Sequence, residues 1–320
     1  MVEKFGRFLI YSCSVCEVQF ADPLFSSTAF YDDRYSDGAL DLTRVRKLSH
    51  DSMVAQSHRM ITDPQSLALE WLKRNFPDSS VVLEVGFGRG WFLSALEQHA
   101  YVAMGTEVAR EPVELLKKKG FTVSLASIES LPPNWPVPSV IALFEVLEHL
   151  PDPLGFLQTL HEKFPFAPLI LSTPSPKRWG LHLGYRESHD YPPYHLTRWT
   201  ERALSMVLQR AGYAEAICLY PGVDPAEIYS ALLGMTLTRL RLVNMASPEL
   251  MLRDADGKPV FSQMIAQFPS LALRLHDIGL ALFKELFKPL AWYFSHKGWS
   301  SSSMLAIGLP ARWQGDKVSS

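Results

Sequence analysis

The chain has 320 residues, of which 47% are hydrophobic and 20% are charged, and its formal net charge is -2. These values fit a globular protein with a sizeable core. They exclude the strongly basic surface of a protein that binds nucleic acid in bulk. Three cysteines give no disulfide framework, no uncharged apolar run approaches the ~20 residues of a membrane helix, and the N-terminus lacks a signal-peptide pattern. We therefore expect a cytoplasmic protein.

The first segment, residues 1–36, contains a Cys-x-x-Cys pair formed by Cys13 and Cys16. Such a pair supplies half of a structural zinc site, which needs four ligands, and His50 and His58 stand at poor spacing to complete it. The pattern favours a hairpin with two free thiols, and we expect no zinc.

Strand and helix patterns alternate from residue 63 to residue 220, which predicts an α/β protein with a doubly wound, parallel sheet. Asp63 and Pro64 are typical of a helix start, and Gly212 is typical of a helix end. The predicted helices cover 63–76, 91–96, 111–119, 153–163 and 200–211. The predicted strands cover 81–85, 101–107, 121–123, 139–144, 168–173, 216–220 and 303–309.

Residues 222–302 depart from this alternation, because they carry helical patterns rich in Leu, Met and Phe. They form a predicted helical insertion before the last strand, with Pro269 and Pro289 expected to break its second helical stretch. The insertion is predicted to act as a lid, as a dimer face, or as an element that lies on a membrane surface.

The most informative segment is 81–90, an aliphatic strand that contains Glu84 and is followed by three glycines at alternate positions. Gly86, Gly88 and Gly90 allow the backbone to turn tightly and to approach a ligand closely. A helix pattern follows, so a nucleotide-like ligand would lie at the carboxyl end of the strand, beside the helix N-terminus. Glu107 ends the next predicted strand, in position to bind two ribose hydroxyls.

This arrangement resembles the class I S-adenosylmethionine-dependent methyltransferases. The resemblance implies that Glu84 helps to hold the methionine part of the cofactor, that the three glycines pass close to it, and that Glu107 binds the ribose. It also implies a seven-stranded, Rossmann-like sheet whose last strand is antiparallel.

The resemblance continues beyond the glycines and assigns Ser127, Ile128 and Phe144 to the cofactor site. The family usually has Asp where Ser127 stands, so a backbone N–H of Ile128 is the expected contact with the adenine. The subgroup that includes ubiquinone-pathway O-methyltransferases is similar at 144–153, 171–175 and 191–200, and the resemblance covers roughly residues 65–220. Residues 11–36 resemble the second half of a zinc ribbon, so we interpret the N-terminal segment as a degenerate half ribbon.

Four residues are candidates for the chemistry of the methyl acceptor. Glu145, Glu148 and His149 stand at i, i+3 and i+4, which would share a face of a helix, and His195 would join them from a later loop. Two interpretations stay open. In one, the four residues hold a divalent cation, Mg²⁺ or Mn²⁺, as a related set does in the small-RNA 2'-O-methyltransferases. In the other, Glu148 and His149 cap and orient the loop, and His195 is a general base or only a structural contact.

The sequence therefore predicts a methyltransferase that uses S-adenosylmethionine and acts on a hydroxyl of a small-molecule, glycan or lipid-linked acceptor. A non-catalytic scaffold of the same fold and an RNA 2'-hydroxyl methyltransferase are the alternatives. Homodimer or peripheral membrane contact is expected through the insertion. We predict that the chain divides into a half ribbon at 1–36, a cofactor-binding core at 37–221, a helical insertion at 222–302, the final strand of the core at 303–313 and a disordered tail at 314–320.

Overall fold

The computed structural model describes residues 1–25, 42–182, 190–225 and 285–315, together with residues 184, 186 and 228. The chain forms two compact units. The first unit consists of Met1–Pro174, His195–Pro221 and Ser303–Ser320, and the second consists of Ser175–Tyr194 and Gly222–Ser302.

The strands are β1 (Glu3–Phe5), β2 (Phe8–Ser12), β3 (Gln19–Asp22), β4 (Val81–Val85), β5 (Val102–Glu107), β6 (Val123–Leu125), β7 (Val140–Phe144), β8 (Leu169–Pro174), β9 (Thr197–Arg198), β10 (Glu215–Leu219) and β11 (Ser303–Leu309). The α-helices before β11 are α1 (Thr43–Lys47), α2 (His50–Gln56), α3 (Asp63–Asn75), α4 (Trp91–Gln98), α5 (Arg110–Lys119), α6 (Pro153–Lys163), α7 (Trp179–His182) and α8 (Glu201–Ala211), and residues 285–296 are also helical. Short 3-10 helices occupy Ser57–Arg59, Ile128–Ser130 and Leu147–His149.

The first unit contains a seven-stranded sheet in the order β10-β11-β8-β7-β4-β5-β6. The contiguous strands from β6 to β8 pair in parallel, and β11 runs antiparallel to both β8 and β10. The central strands are buried on both faces, which explains their continuous aliphatic runs. The predicted fold, a doubly wound Rossmann-like sheet with an antiparallel last strand, is confirmed.

Helices cover both faces of this sheet. One core packs α3, α4 and α5 against one face, with Leu72, Phe92 and Leu116 fully buried. The other core packs α6 and α8 against the opposite face, with Leu160 and Leu204 fully buried. The burial of apolar side chains on both faces stabilises the sheet mainly through the hydrophobic effect.

One predicted strand is shifted. The strand expected at 121–123 is β6, Val123–Leu125, because the end of α5 occupies the preceding residues. Gly120 closes the helix in the left-handed region at φ 99°, and the N–H of Phe121 donates to the carbonyl of Leu116 at 3.1 Å. This is a helix C-cap, and the strand starts only after it.

The first unit also contains a small antiparallel sheet in the order β1-β2-β3-β9. Its first three strands include the predicted N-terminal hairpin, and its fourth strand comes from residues 197–198. Part of the predicted 1–36 segment, residues 26–36, lies outside the described residues.

In the second unit, aromatic rings stack between α7 and the segment 285–299, with Trp179 on Phe294 and Phe294 on Trp299. The helix at 285–296 continues through Pro289, so the break expected there is wrong. Of the predicted insertion, 226–227 and 229–284 lie outside the described residues, as do 316–320 of the predicted tail. Among the described helices, none combines the length and apolar character needed to cross a membrane.

Candidate functional site

The turn after β4 is built from residues in the left-handed region. Gly86 has φ 76°, Gly88 has φ 51° and Gly90 has φ 73°. A Cβ on Gly86 would stand 2.7 Å from Cγ2 of Val146, and a Cβ on Gly90 would stand 2.2 Å from Cδ2 of Leu116. The turn therefore requires glycine for its conformation and for its close packing, and α4 begins directly after it.

The acid inside β4 is buried without full hydrogen bonding. Glu84 is 2% exposed, and no hydrogen-bond donor from the described residues reaches its Oε2 atom. Burial raises the pKa of Glu84 well above its ordinary value, the negative charge of Glu107 raises it further, and a bond from the backbone of Leu93 acts in the opposite direction. A buried carboxyl oxygen without a donor costs free energy unless a ligand supplies the donor.

The acid at the end of β5 organises the glycine turn. Oε2 of Glu107 accepts the N–H of Gly88 at 3.1 Å, and its Oε1 accepts the N–H groups of Val108 and Ala109 at 2.7 and 3.2 Å. The turn and the acid are thus tied together before any ligand arrives.

These residues gather at one point of the sheet. β4 lies between β5 and β7, where the strand order reverses, and ligands of open α/β sheets bind in the crevice beside the carboxyl ends of such strands. Gly105 stands opposite Glu84 on β5, and a side chain there would meet Phe87 at 2.7 Å. The carboxyl ends of β4 and β5 therefore bring together the glycine turn and two carboxyl groups, Glu84 and Glu107, that interact electrostatically.

The other three predicted cofactor residues lie at the ends of β6 and β7. Ser127 is exposed and precedes the 3-10 helix Ile128–Ser130, and its Oγ lies 3.2 Å from Oγ of Ser130. The side chain of Ile128 is buried in the core. The ring of Phe144 packs edge-on against Phe92 with centroids 4.7 Å apart, so its side chain serves the core.

The donor set fits S-adenosylmethionine. Its ammonium group is the cationic donor that a buried, under-bonded carboxylate such as Glu84 requires, and its ribose offers the hydroxyl donors that Glu107 can accept. The fit depends on Oε2 of Glu84, the atom that no donor in the described part of the chain reaches.

Three of the four predicted acceptor-side residues come together in the first unit. Glu148, His149 and His195 each offer one ligand atom, and these atoms lie within 4.8 Å of one another. Glu148 is fully buried, its Oε1 lies 4.0 Å from Nε2 of His195, and the two imidazole rings have centroids 4.9 Å apart. We call these three residues the Glu148 cluster.

Glu145 does not share a helical face with them, and that expectation is wrong. The helix is a 3-10 turn that begins at Leu147, and Glu145 precedes it in the left-handed region at φ 54°. Its Oε1 accepts the hydroxyl of Ser172 at 2.7 Å, and its N–H lies 3.2 Å from the same hydroxyl oxygen. A non-glycine residue in this region costs about 1–3 kcal/mol, and such strain is typical of functional sites.

The N-terminal sheet holds the Glu148 cluster in place. The N–H of Leu196 donates to the carbonyl of Glu148 at 2.8 Å, and the N–H of Ala21 on β3 donates to the carbonyl of Leu196 at 2.8 Å. His195 is therefore adjacent to Leu196, whose N–H and carbonyl groups are both hydrogen-bonded. Sequence reasoning missed this role of β3, and it missed Ser172, because both act on residues far away in the chain.

Comparison with known proteins gives one family match. A sequence profile described as a methyltransferase domain matches residues 57–216, half of the chain. No curated protein matches the chain by sequence.

Several solved structures are similar to the chain. A SAM-dependent methyltransferase from Archaeoglobus fulgidus is 14% identical over 77% of this chain and 94% of that one, with a TM-score of 0.44. Magnesium protoporphyrin IX methyltransferase from Synechocystis PCC 6803, solved with bound SAH, is 16% identical over 60% of this chain and 93% of that one, with a TM-score of 0.43. A SAM-dependent methyltransferase from Aquifex aeolicus is 22% identical over 52% of this chain and 89% of that one, with a TM-score of 0.37.

The profile spans the glycine turn, both acids of the crevice and the whole Glu148 cluster. The chain belongs to the methyltransferase-domain family and has the S-adenosylmethionine-binding, Rossmann-like fold.

Proposed function

We propose that the protein transfers a methyl group from S-adenosylmethionine to a hydroxyl of a small-molecule, glycan or lipid-linked acceptor. The bound cofactor supplies an activated methyl group on a sulfonium. The protein has to orient the two reactants, exclude water and receive the hydroxyl proton.

The observation that carries the proposal is the under-bonded carboxyl group of Glu84. An acid buried in a strand and facing a second acid, Glu107, destabilises the empty protein. A cationic ligand with vicinal hydroxyls relieves both acids at once, because Glu84 gains a charged donor and Glu107 gains neutral donors.

The Glu148 cluster supports an oxygen acceptor. A neutral hydroxyl is a weak nucleophile, and a positioned base activates it. In the proposed reaction the hydroxyl oxygen bonds to the methyl carbon, the carbon–sulfur bond breaks with its electron pair going to sulfur, and the hydroxyl proton passes to His195. Glu148 is buried, its Oε1 lies 4.0 Å from Nε2 of His195, and its negative charge stabilises the imidazolium that forms.

A second form of the same chemistry uses a divalent cation. The ligand atoms of Glu148, His149 and His195 are close enough to converge on one ion. Mg²⁺ or Mn²⁺ held there would lower the pKa of an acceptor hydroxyl, and His195 would then be a ligand instead of a base. Glu145 belonged to the predicted ligand set, but its carboxylate is bound by Ser172.

Label transfer tests the proposal. The full chain is incubated with host extract and cofactor carrying a labelled methyl group, and mass spectrometry locates the label in the product. We expect a labelled hydroxyl. Cofactor binding without any transfer would instead favour a non-catalytic scaffold, and a label in RNA would favour a 2'-hydroxyl methyltransferase.

Variants separate the roles within the Glu148 cluster. His195→Ala is expected to lower turnover roughly 10²- to 10⁴-fold while cofactor affinity stays unchanged. His58→Ala, at an exposed histidine in the first unit, is the matched control and keeps full activity. Turnover that EDTA abolishes and Mn²⁺ restores supports the metal form, and EDTA-insensitive turnover supports the base.

The acceptor class and the partners of residues 222–302 are also part of the proposal. In the described part of that segment, Leu286 is 75% exposed and Trp292 is 65% exposed. Liposome flotation and size-exclusion chromatography distinguish a membrane-surface contact from a dimer.

A further inference from the structure

The strand that follows His195 is short and lies at the edge of the N-terminal sheet. β9 consists of Thr197 and Arg198, and it pairs with Phe20 and Gln19 of β3. It is shorter than most strands of globular proteins, and so short a strand forms few hydrogen bonds with its neighbour. The position of β9 therefore depends on further contacts of its side chains.

The side chain of Arg198 joins β9 to the rest of this sheet. Its Nη1 donates to Oε2 of Glu3 on β1 at 2.9 Å and to Oε1 of Gln19 on β3 at 3.2 Å. Because the strand order is β1-β2-β3-β9, the contact with Glu3 connects the two outer strands. The Arg198 side chain is 15% exposed, and a guanidinium presents its donors in a rigid planar fork. These contacts therefore fix the direction of β9 within the N-terminal sheet.

The backbone next to Arg198 extends this attachment to the Glu148 cluster. Leu196 donates its N–H to the carbonyl of Glu148 and accepts the N–H of Ala21, each at 2.8 Å. Both Leu196 and Ala21 are buried, so water does not compete for these bonds. His195 directly precedes Leu196 in the chain. A displacement of β9 would therefore move the imidazole of His195 relative to the carboxylate of Glu148.

An ion pair at this place is not needed to stabilise the sheet. A charged pair removed from water contributes little net stability compared with apolar side chains of similar size, because both charges lose hydration. It does impose a defined geometry, since the guanidinium and its acceptors have to align. The contacts of Arg198 with Glu3 and Gln19 therefore fit a role in fixing the position of the neighbouring residues.

We propose that Arg198 is a positioning residue of the methyl-transfer site. By joining β9 to Glu3 and Gln19, it holds the imidazole of His195 beside Glu148. The inference rests on the proposed function in either of its forms, because His195 acts as the base in one and as a metal ligand in the other. It also gives the N-terminal sheet a function, which is to orient a side chain that receives a proton or binds an ion.

A double-mutant cycle in the full chain tests this proposal. Arg198→Met removes the guanidinium and keeps most of the side-chain volume. We expect it to lower turnover roughly 10- to 100-fold with unchanged cofactor affinity, because a small displacement of a catalytic group is costly. In a His195→Ala background the same change should have no further effect on turnover, because Arg198 acts through His195. An equal fold loss in both backgrounds would overturn the proposal, as would full turnover of Arg198→Met.

Arg202 provides a matched control. Its guanidinium lies 3.6 Å from the carboxylate of Glu17 in the N-terminal segment, but its side chain is 59% exposed, and exposed ion pairs contribute little. Arg202→Met should keep the turnover of wild type, and circular dichroism verifies that every variant is folded. A loss in Arg202→Met as large as that in Arg198→Met would contradict a specific role of Arg198.

A second readout does not depend on methyl transfer. The rings of His149 and His195 have centroids 4.9 Å apart, so a nuclear Overhauser effect should connect their protons in the wild-type chain. Arg198→Met should weaken this signal. Its absence from the wild-type spectrum, or its persistence at full strength in Arg198→Met, would overturn the proposal. If the wild-type chain transfers no methyl group, the proposed function fails, and this measurement still decides whether Arg198 positions His195.

Discussion

Replacing Glu84 by Gln should stabilise the empty protein and weaken its binding of cofactor. Burial and the facing charge of Glu107 raise the pKa of Glu84. A carboxyl group whose pKa is higher in the folded state contributes stability at pH values below its unfolded pKa and loses that contribution as the pH rises through its folded pKa. The empty wild-type protein should therefore lose stability over that range, and Glu84→Gln should lose less.

The size of both effects follows from one buried oxygen atom. Leaving a buried polar group without its partner costs about 1–3 kcal/mol, and more when the group is charged. Gln cannot ionise, so the free energy of unfolding of the empty Glu84→Gln variant should exceed that of wild type by about that amount at pH values at which Glu84 is ionised. A hydrogen bond to a charged group contributes about 1.5–3 kcal/mol, so the variant should bind S-adenosylhomocysteine roughly 10- to 150-fold more weakly.

Glu107→Gln is the matched comparison, because the same change of charge has the opposite effect on the empty protein. Glu107 accepts three backbone N–H groups, and its amide replacement turns one acceptor oxygen into a donor. We expect a loss of stability of about 1–3 kcal/mol together with weaker cofactor binding. Denaturant unfolding with and without ligand, and calorimetric titration, measure both quantities. A Glu84→Gln variant that is less stable when empty and binds ligand as tightly as wild type would refute the reasoning.

Two further predictions concern the glycine turn and the hydroxyl that binds Glu145. Gly86→Ala should lower the free energy of unfolding by more than the ~1–2 kcal/mol that a left-handed conformation costs, because the new Cβ would also collide with Val146. Calorimetric titration of this variant should detect no cofactor binding. Gly6→Ala, at φ 55° with no atom within 4 Å of the new Cβ, is the control that should suffer strain only and keep its cofactor affinity. Ser172→Ala removes the hydroxyl that binds Glu145 at 2.7 Å and should cost about 1–3 kcal/mol in thermal or denaturant unfolding; an unchanged stability would contradict the role given to that bond.

The sheet could be predicted from the sequence because its strands are buried runs with a local signature. Residues 81–85 are aliphatic except for Glu84, and the glycines that follow require a tight turn before a helix. Each unit of strand, turn and helix is formed by residues that are close together in the chain. The alternation of strands and helices alone therefore predicts a doubly wound sheet. The antiparallel direction of β11 was expected only from the family resemblance. The sequence pattern does not predict it, because β11 pairs with β8, whose residues lie more than a hundred positions earlier in the chain.

The Glu148 cluster was predicted in its residues but not in its geometry. Helical spacing suggested that Glu145 joins Glu148, yet the chain turns through a left-handed residue before a 3-10 helix begins. Glu145 is held by a hydrogen bond from the hydroxyl of Ser172 on β8. The spacing of residues along the chain does not indicate that bond.

The role of the N-terminal sheet was also hidden from sequence reasoning. Residues 1–25 have the pattern of a degenerate hairpin, and nothing local indicates that β3 pairs with β9 or that Ala21 bonds to Leu196. Strand pairing of this kind depends on tertiary packing, because the paired residues are far apart in the chain.

The most direct test of the central claim is an equilibrium titration of the full chain with S-adenosylmethionine, followed by tryptophan fluorescence. Trp91 begins α4 directly after the glycine turn and is 6% exposed, so it should report on the occupied crevice. The account predicts saturable binding at one site per chain, displacement by S-adenosylhomocysteine, and no displacement by a nicotinamide dinucleotide. Absence of saturable binding, or displacement by the dinucleotide, would contradict it.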